Sequence, residues 1–512
     1  MQQTDVAAPL GARRAVAPSN AFRLLPALEN DARLLRFVQT RAGRAILVVA
    51  FGALASLLAK PAAAVGVALV LFFPARRRLM VALASLGMVV VTHRIDKLLH
   101  AVGKQEGLGA LADHAAFKPA MLVLALALTI GYVQLAKTWF SAWLLRRPIA
   151  TVLGLNAGLF VLLALLPLEG VFRLAAWAVV AGASTYLWYA AYSLKDHAAR
   201  HGTPLLKDAS AWRPFWGGTS VPFPKAGAEL DKLEVRTREE AAIWQLKGLK
   251  LVTWALMLAV LRTALVLLTT GKVAYPSAWL SDVALPLPAS FTFSGLGLHV
   301  TNLPDAFVLV QGGAARSAGQ NWASLVLHLG VDLLDISIFG HLAVAGARVA
   351  GFKALRNTHR PLESRSIADF WNRYYFYFKE LLVDFFFLPT YLRWFKKHPR
   401  LRLFFATFAA AGVGNFIFHW LADPAGIVTT GLWGSIAARD TYVIYALVLV
   451  LGIWLSQSSK PRAATRVSRL SRVATTSGVL LFYCLLQILN VAPLDATVSD
   501  CFRFFVSLFP PV

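Results

Sequence analysis

Acidic residues are scarce in this chain and cysteines nearly absent. There are 26 Asp and Glu among 512 residues against 51 Lys and Arg, a formal net charge of +25 at pH 7. In a soluble protein that excess would point to nucleic acid. Here 57% of the residues are hydrophobic, which leaves too little surface for a phosphate-tracking face, so no nucleic-acid partner is expected. The two cysteines, Cys484 and Cys501, supply neither a disulfide framework nor a zinc pattern. Also missing are a Walker A loop, a dinucleotide glycine fingerprint, a Gly-x-Ser-x-Gly elbow and any repeat of solenoid period. The first apolar run begins only near Ala45, so no cleavable signal peptide is expected.

What the chain has in abundance is long apolar runs. Mean hydropathy is +0.59, and several runs reach the roughly 20 residues that a spanning helix requires. The short alternating segments of a membrane β-barrel are not seen. The expected fold is therefore all-α and polytopic, with about ten to twelve spans counted run by run. The runs include Ala45–Leu58 and Ala62–Pro74, split by Lys60-Pro61, then Leu79–Val91, ended by His93 and Arg94. Others are Pro119–Leu145, Pro148–Leu166, Val171–Leu194 and Leu251–Thr270, the last with Arg262 as its sole charge.

The pattern divides the chain into a basic tail (1–44), N-terminal helices (45–194), a long non-spanning region (195–247) and a C-terminal membrane region (248–512) with a core at 325–422. The tail carries Arg13, Arg14, Arg23, Arg33, Arg36, Arg41 and Arg44. It is expected on the cytoplasmic side beside anionic lipid, with Arg76, Arg77 and Arg78, because basic residues next to spans are retained there. Basic residues at Lys460, Arg462, Arg466, Arg469 and Arg472 precede the last span, Ala474–Val491. The 195–247 region sets Trp212, Phe215, Trp216 and Phe223 among Gly and Pro. It reads as an ordered loop lying at the membrane surface.

Ionisable groups at membrane depth mark functional sites by default. Ser324–Gly351 carries His328, Asp332 and Asp335, and Leu403–Leu421 carries His419. The first three share one helical stripe, which suits a buried polar network or a proton path. Two acids and one His without further spacing make a poor ligand set, and no metal is expected. His419 has two readings: a packed histidine bonded to a carbonyl, or a general base whose ordinary pKa suits neutral pH. Asn372 and Tyr375 offer N–H and O–H donors for a developing oxyanion. Arg373 can orient an acceptor or simply pair with Asp369 or Glu380 on its own helix.

The block from Leu327 to Pro424 resembles the signature region of the membrane-bound O-acyltransferase family. It is nearest the branch that acylates bacterial cell-surface polymers, such as the alginate O-acetylation and teichoic acid D-alanylation proteins. The residues that carry the likeness are Asp335-Ile336-Ser337, Gly351-Phe352, Asn357, Arg360-Pro361, Ser366-Ile367, Phe370-Trp371-Asn372-Arg373-Tyr374-Tyr375 and Asp384 through Pro389, with His419 downstream. Where the family has Trp-His, this chain has Tyr374-Tyr375, and the downstream Trp-His-Gly is Phe418-His419-Trp420. The resemblance implies a multi-pass inner-membrane enzyme. It would move an acyl group from a thioester, such as an acyl-CoA or acyl carrier thioester used as co-substrate with no bound cofactor, to a hydroxyl on a lipid or polysaccharide of the envelope. His419, Asn372 and Tyr375 would be catalytic, and Trp371, Arg373 and Asp335 would bind substrate. Its partners would be the lipid bilayer and an envelope protein. A non-catalytic conduit with the same fold, or an ion-coupled transporter using Asp332, Asp335 and Arg348, are the alternatives.

Overall fold

Lipid offers a backbone no hydrogen bonds, so a chain this apolar must satisfy its amides within helices. The computed structural model describes residues 24–510 apart from 59–61, 91–94, 200–203, 218–220, 224, 275–289, 293–297, 459–467 and 492–495. Arg13, Arg14, Arg23, Lys60-Pro61, His93, Arg94, Lys460, Arg462 and Arg466 lie outside the described residues. The protein is an all-α polytopic membrane protein. Its strands among the described residues are Lys272–Ala274 and Ser290–Thr292, paired antiparallel.

Seven helices among the described residues are long and apolar enough to cross a bilayer: Phe117–Trp139, Pro148–Leu165, Arg238–Thr270, Ala318–Val349, Pro399–Leu421, Asp440–Ser458 and Arg469–Asn490. Two bent pairs raise the number to nine if each counts as one span: Ala32–Val38 with Arg41–Leu57, bent by 94°, and Gly170–Ser184 with Leu187–Ala198, bent by 52°. The run-by-run count is higher because it includes stretches that fold as shorter helices. Ala62–Phe72 has 11 residues and Arg77–Val90 has 14, against the roughly 20 that span a hydrocarbon core.

Two long helices form the spine. Arg238–Thr270 is capped by Thr237, whose side chain accepts from the Glu240 amide, and it stops at Gly271, which takes φ +69°. Ala318–Val349 opens with a reciprocal capping box between Ser317 and Gln320, which satisfies amides that a bare helix start would strand. The two run antiparallel. Gly248 lies so close to Val349 that a Cβ there would meet its side chain at 2.7 Å, and one helical stretch further along Arg262 meets Asp335.

The aromatic residues singled out in the 195–247 region pack inside the protein. Trp212, Phe215, Trp216 and Phe223 are all buried. The Trp216 indole N–H donates to the Phe223 carbonyl at 2.9 Å, and the Phe215 amide donates to Ser85 Oγ at 3.0 Å. Four large rings cost too much exposed to water and fill the space beside Ala62–Phe72 and the spine instead. The last part of this region, from Arg238, is already the first spine helix. The segment is also tied in by charge. Arg77 pairs with Glu234 at 2.9 Å, and Arg78 pairs with Asp231 and, at 3.3 Å, with Glu234. Both guanidinium groups sit over the Phe352 ring, 6.0 and 5.6 Å from its centroid. Gly351 takes φ +92° beside Arg77, whose guanidinium a Cβ there would meet at 3.1 Å. The Gly351-Phe352 pair thus serves the fold directly. It turns the chain under this arginine pair, where a side chain at 351 would be strained and crowded.

Candidate functional site

The spine carries the first polar cluster. Arg262 grips Asp335 with two nitrogens, Nε to Oδ1 at 2.6 Å and Nη2 to Oδ2 at 3.2 Å. This fork geometry is the strong form of an arginine–carboxylate pair. Arg262 is buried, so the ion pair neutralises a cation that lipid or apolar core would not tolerate alone. Asp332, one turn earlier, looks elsewhere. It accepts from the Tyr374 hydroxyl at 2.6 Å and from Gln487 Nε2 at 3.4 Å. The stripe of His328, Asp332 and Asp335 therefore feeds two separate partnerships, one within the spine and one across to Ile367–Tyr374 and Arg469–Asn490. His328 interacts electrostatically with both acids. Among the described residues no three His, Cys, Asp or Glu side chains converge to hold a metal.

Tyr374 is held by more than its hydroxyl. Phe370 stacks on it at 5.3 Å and on Tyr483 at 3.9 Å, and Tyr483 donates to the Ile367 carbonyl at 2.9 Å. Tyr374 couples the short helix to the acidic spine.

The second cluster surrounds His419. Two helical segments widened to π geometry, Val383–Phe387 and Phe408–Gly414, precede it. They meet at Gly414, where a Cβ would come within 2.7 Å of the Phe386 ring. Such π segments shift the register of the residues that follow and recur at functional sites. His419 emerges one turn later among rings. Tyr442, Phe418 and Phe378 have centroids 5.2, 5.4 and 5.8 Å from the imidazole. His419 is exposed on the surface of the chain, and its imidazole makes no hydrogen bond among the described residues. Tyr442 donates to Asn415 Oδ1 at 3.2 Å, and the Tyr445 ring lies tilted against Tyr442 at 4.9 Å. Two hydroxyl-bearing rings therefore extend from His419 along Asp440–Ser458.

The sequence candidates separate on this geometry. Tyr375, at the break between Ile367–Tyr374 and Phe376–Leu382, packs on Phe378 at 5.6 Å, and Trp371 does so at 6.1 Å. Phe378 is thus the common neighbour of Trp371, Tyr375 and His419. Asn372 is exposed and has no contact with that ring cluster. Arg373 pairs with Asp369 at 2.8 Å, four residues back on its own helix, and its carbonyl accepts the His359 amide. Asp335 belongs to the spine cluster with Arg262.

A third cluster joins Val383–Phe387 to Lys225 and to the Leu187–Ala198 arm of the bent pair. Asp384 pairs with Lys225 at 2.8 Å and Lys195 at 3.1 Å, and it accepts from the Tyr192 hydroxyl at 3.0 Å. Burial by itself would raise the Asp384 carboxyl, but the two ammonium groups outweigh it and hold its pKa below the ordinary 3.8. Glu380 behaves likewise: burial raises it, while Lys379 and Lys225 bring it below 4.5.

Sequence reasoning passed over Arg262, Gln487, Tyr442, Tyr445 and Lys225. Arg262 had a signal: a lone cation in an apolar run requires a carboxylate partner, and Asp332 and Asp335 were the nearest intramembrane acids. The others had none, since a Tyr or Gln in a span looks the same whether it faces lipid or a network. No known family matches the sequence, and no curated protein matches it.

Proposed function

We propose that this protein is a membrane-embedded O-acyltransferase with His419 as general base. The observation that carries the reading is an imidazole with no hydrogen-bond partner among the described residues, ringed by aromatics and sharing Phe378 with Tyr375 and Trp371. An imidazole already bonded to a carbonyl would be structural. One without a partner keeps a lone pair available for a proton. In the proposed step His419 takes the proton of an acceptor hydroxyl. The hydroxyl oxygen forms a C–O bond to the thioester carbonyl, the C–S bond breaks, and the departing thiolate recovers the proton from the imidazolium. Among the sequence candidates Tyr375, which shares Phe378 with His419, is the donor to the oxyanion. The thioester, an acyl-CoA or acyl carrier, enters as co-substrate. The acceptor is a hydroxyl on a lipid or polysaccharide of the envelope, and the inner membrane is the compartment where both meet.

A divergent, non-catalytic member is the second reading. It is favoured by Asn372 facing outward and Arg373 being engaged by Asp369, which leaves few donors beside His419. The two readings separate in one assay. The purified protein in nanodiscs is given acetyl-CoA and a polymannuronate acceptor, and thiol release is followed. His419→Ala should lose about 10²–10⁴ in turnover, and His419→Gln should not restore it, because an amide cannot take a proton. Full turnover in a folded His419→Ala protein would leave the conduit reading standing.

A further inference from the structure

Basic residues near membrane spans are ordinarily solvated or paired, so a cavity that collects several without carboxylates calls for a ligand. One cavity of about 250 Å³ lies between the start of Arg41–Leu57, the end of Ala62–Phe72, Arg77 and the first turns of Arg238–Thr270. Arg44, Arg77, Arg236 and Arg238 line it, together with Gln245. None of these belongs to the His419 cluster, and nothing here depends on acyl transfer.

The donors in this cavity exceed the acceptors. Among the described residues Arg44 donates only to the Gln39 carbonyl, at 3.1 Å, and Arg236 only to the Asp231 carbonyl, also at 3.1 Å. Arg238 has no ion pair or side-chain hydrogen bond there. Arg77 has Glu234 on Nη1, but its Nε is buried with no partner. Gln245 is 8% exposed, lines the cavity and makes no side-chain hydrogen bond among the described residues. The nearby carboxylates are already occupied. Glu234 is held by Arg77 and Arg78, and Glu240 by Lys353 at 2.8 Å and the Arg236 amide at 2.7 Å. The opposite wall is apolar, formed by Val70, Leu71 and Pro74 at the end of a membrane helix. A buried guanidinium nitrogen without an acceptor, such as Arg77 Nε, is costly unless something supplies an oxygen.

We propose that this cavity binds an anionic phosphate group. Phosphate oxygens match the planar N–H forks of several arginines at once, and the opening first turn of a 33-residue helix adds favourable dipole. The phosphate has two chemical sources. An anionic phospholipid headgroup would place its acyl chains along the Val70–Leu71 wall. A soluble phosphate compound would leave that wall empty.

The test uses the full-length protein in phosphatidylcholine nanodiscs. One arm adds phosphatidylglycerol and measures lipid retained by native mass spectrometry. The other adds inorganic pyrophosphate and measures thermal shift. Arg44→Gln and Arg238→Gln are chosen because neither residue pairs with a carboxylate, so both variants should fold, and their melting temperatures without added ligand check this. Lys397→Gln, on an exposed basic turn, controls for general surface charge. Each cavity variant should weaken retention about fivefold, with Lys397→Gln unchanged. An effect confined to phosphatidylglycerol identifies a lipid headgroup, and an effect on pyrophosphate identifies a soluble phosphate. Equal binding of both probes by the wild type and both cavity variants overturns the proposal. So does an equal loss in Lys397→Gln, which would mean diffuse attraction rather than a site.

Discussion

Two polar neighbourhoods in this bundle are built on opposite rules. Around the spine, Arg262 has Asp335, Asp332 has Tyr374 and Gln487, and Tyr374 has a stacked ring on its own helix. Around His419 there are rings on three flanks and no hydrogen bond to the imidazole among the described residues. The first arrangement holds helices together, and losing one member strands another. The second adds little to stability and leaves a reactive atom uncommitted. Polar groups in a membrane protein therefore cannot be ranked as functional by depth alone. What distinguishes them is whether their bonding capacity is already spent.

The largest expected effect comes from splitting the spine pair. Asp335→Leu leaves a buried guanidinium without its anion and should cost about 3–5 kcal/mol, seen as loss of folded protein in detergent. Arg262→Leu combined with Asp335→Leu should recover most of that loss, because two apolar residues replace a neutral pair. Equal yield of Asp335→Leu and wild type would mean that Arg262 is watered rather than buried. Next is Tyr374→Phe, which removes a hydroxyl bonded to a carboxylate. A loss of about 1.5–3 kcal/mol is expected, and chemical denaturation of the purified variant measures it.

Smaller again is the effect at the satisfied cluster around Asp384. Lys195 and Lys225 hold the Asp384 carboxyl below its unfolded value of 3.8. The unfolded chain thus binds its proton first as pH falls. The stabilisation is present above 3.8 and is lost as pH drops through the folded value. Asp384→Asn should melt below wild type at neutral pH, and the gap should narrow in acid. With Lys195 39% exposed, screening keeps the gap modest, and a gap independent of pH would remove Asp384 from the acid-sensitive set. The smallest effect on stability is expected at the second neighbourhood. His419→Ala gives up ring contacts but no hydrogen bond, so its unfolding free energy should fall by only about 1 kcal/mol. A loss as large as that of Tyr374→Phe would place His419 among the structural residues and erase the contrast.

The helical membrane fold was legible in the sequence because lipid leaves a long apolar run few alternatives. Span number was less so, since Ala62–Phe72 and Arg77–Val90 read as runs but fold as helices too short to cross. The importance of Asp332 and Asp335 was legible from their depth, while their separate partners were not. One-dimensional spacing puts them on a single stripe, and only packing decides that Asp335 faces Arg262 and Asp332 faces Tyr374. The burial of the aromatic cluster at Trp212–Phe223 was not legible for a related reason. A run of rings among Gly and Pro looks alike whether it floats at an interface or fills a core. At the candidate site, Trp371, Tyr375 and His419 come together on Phe378, whereas Asn372 and Arg373, one and two residues along the helix from Trp371, point to other faces.

The arginine pair under Phe352 sets a clock on the chain's assembly. Arg77 and Arg78 find their counter-charges at Asp231 and Glu234 and their aromatic cover at Phe352. At ordinary rates of synthesis a ribosome needs roughly 14–55 s to travel from residue 78 to residue 352. The counter-charges at Asp231 and Glu234 arrive after roughly 8–31 s, and the aromatic cover of Phe352 comes only at the end of the interval. The N-terminal half can enter the bilayer early, but it cannot lock until the end of the acidic helix has been made, so the two halves of this protein mature together or not at all.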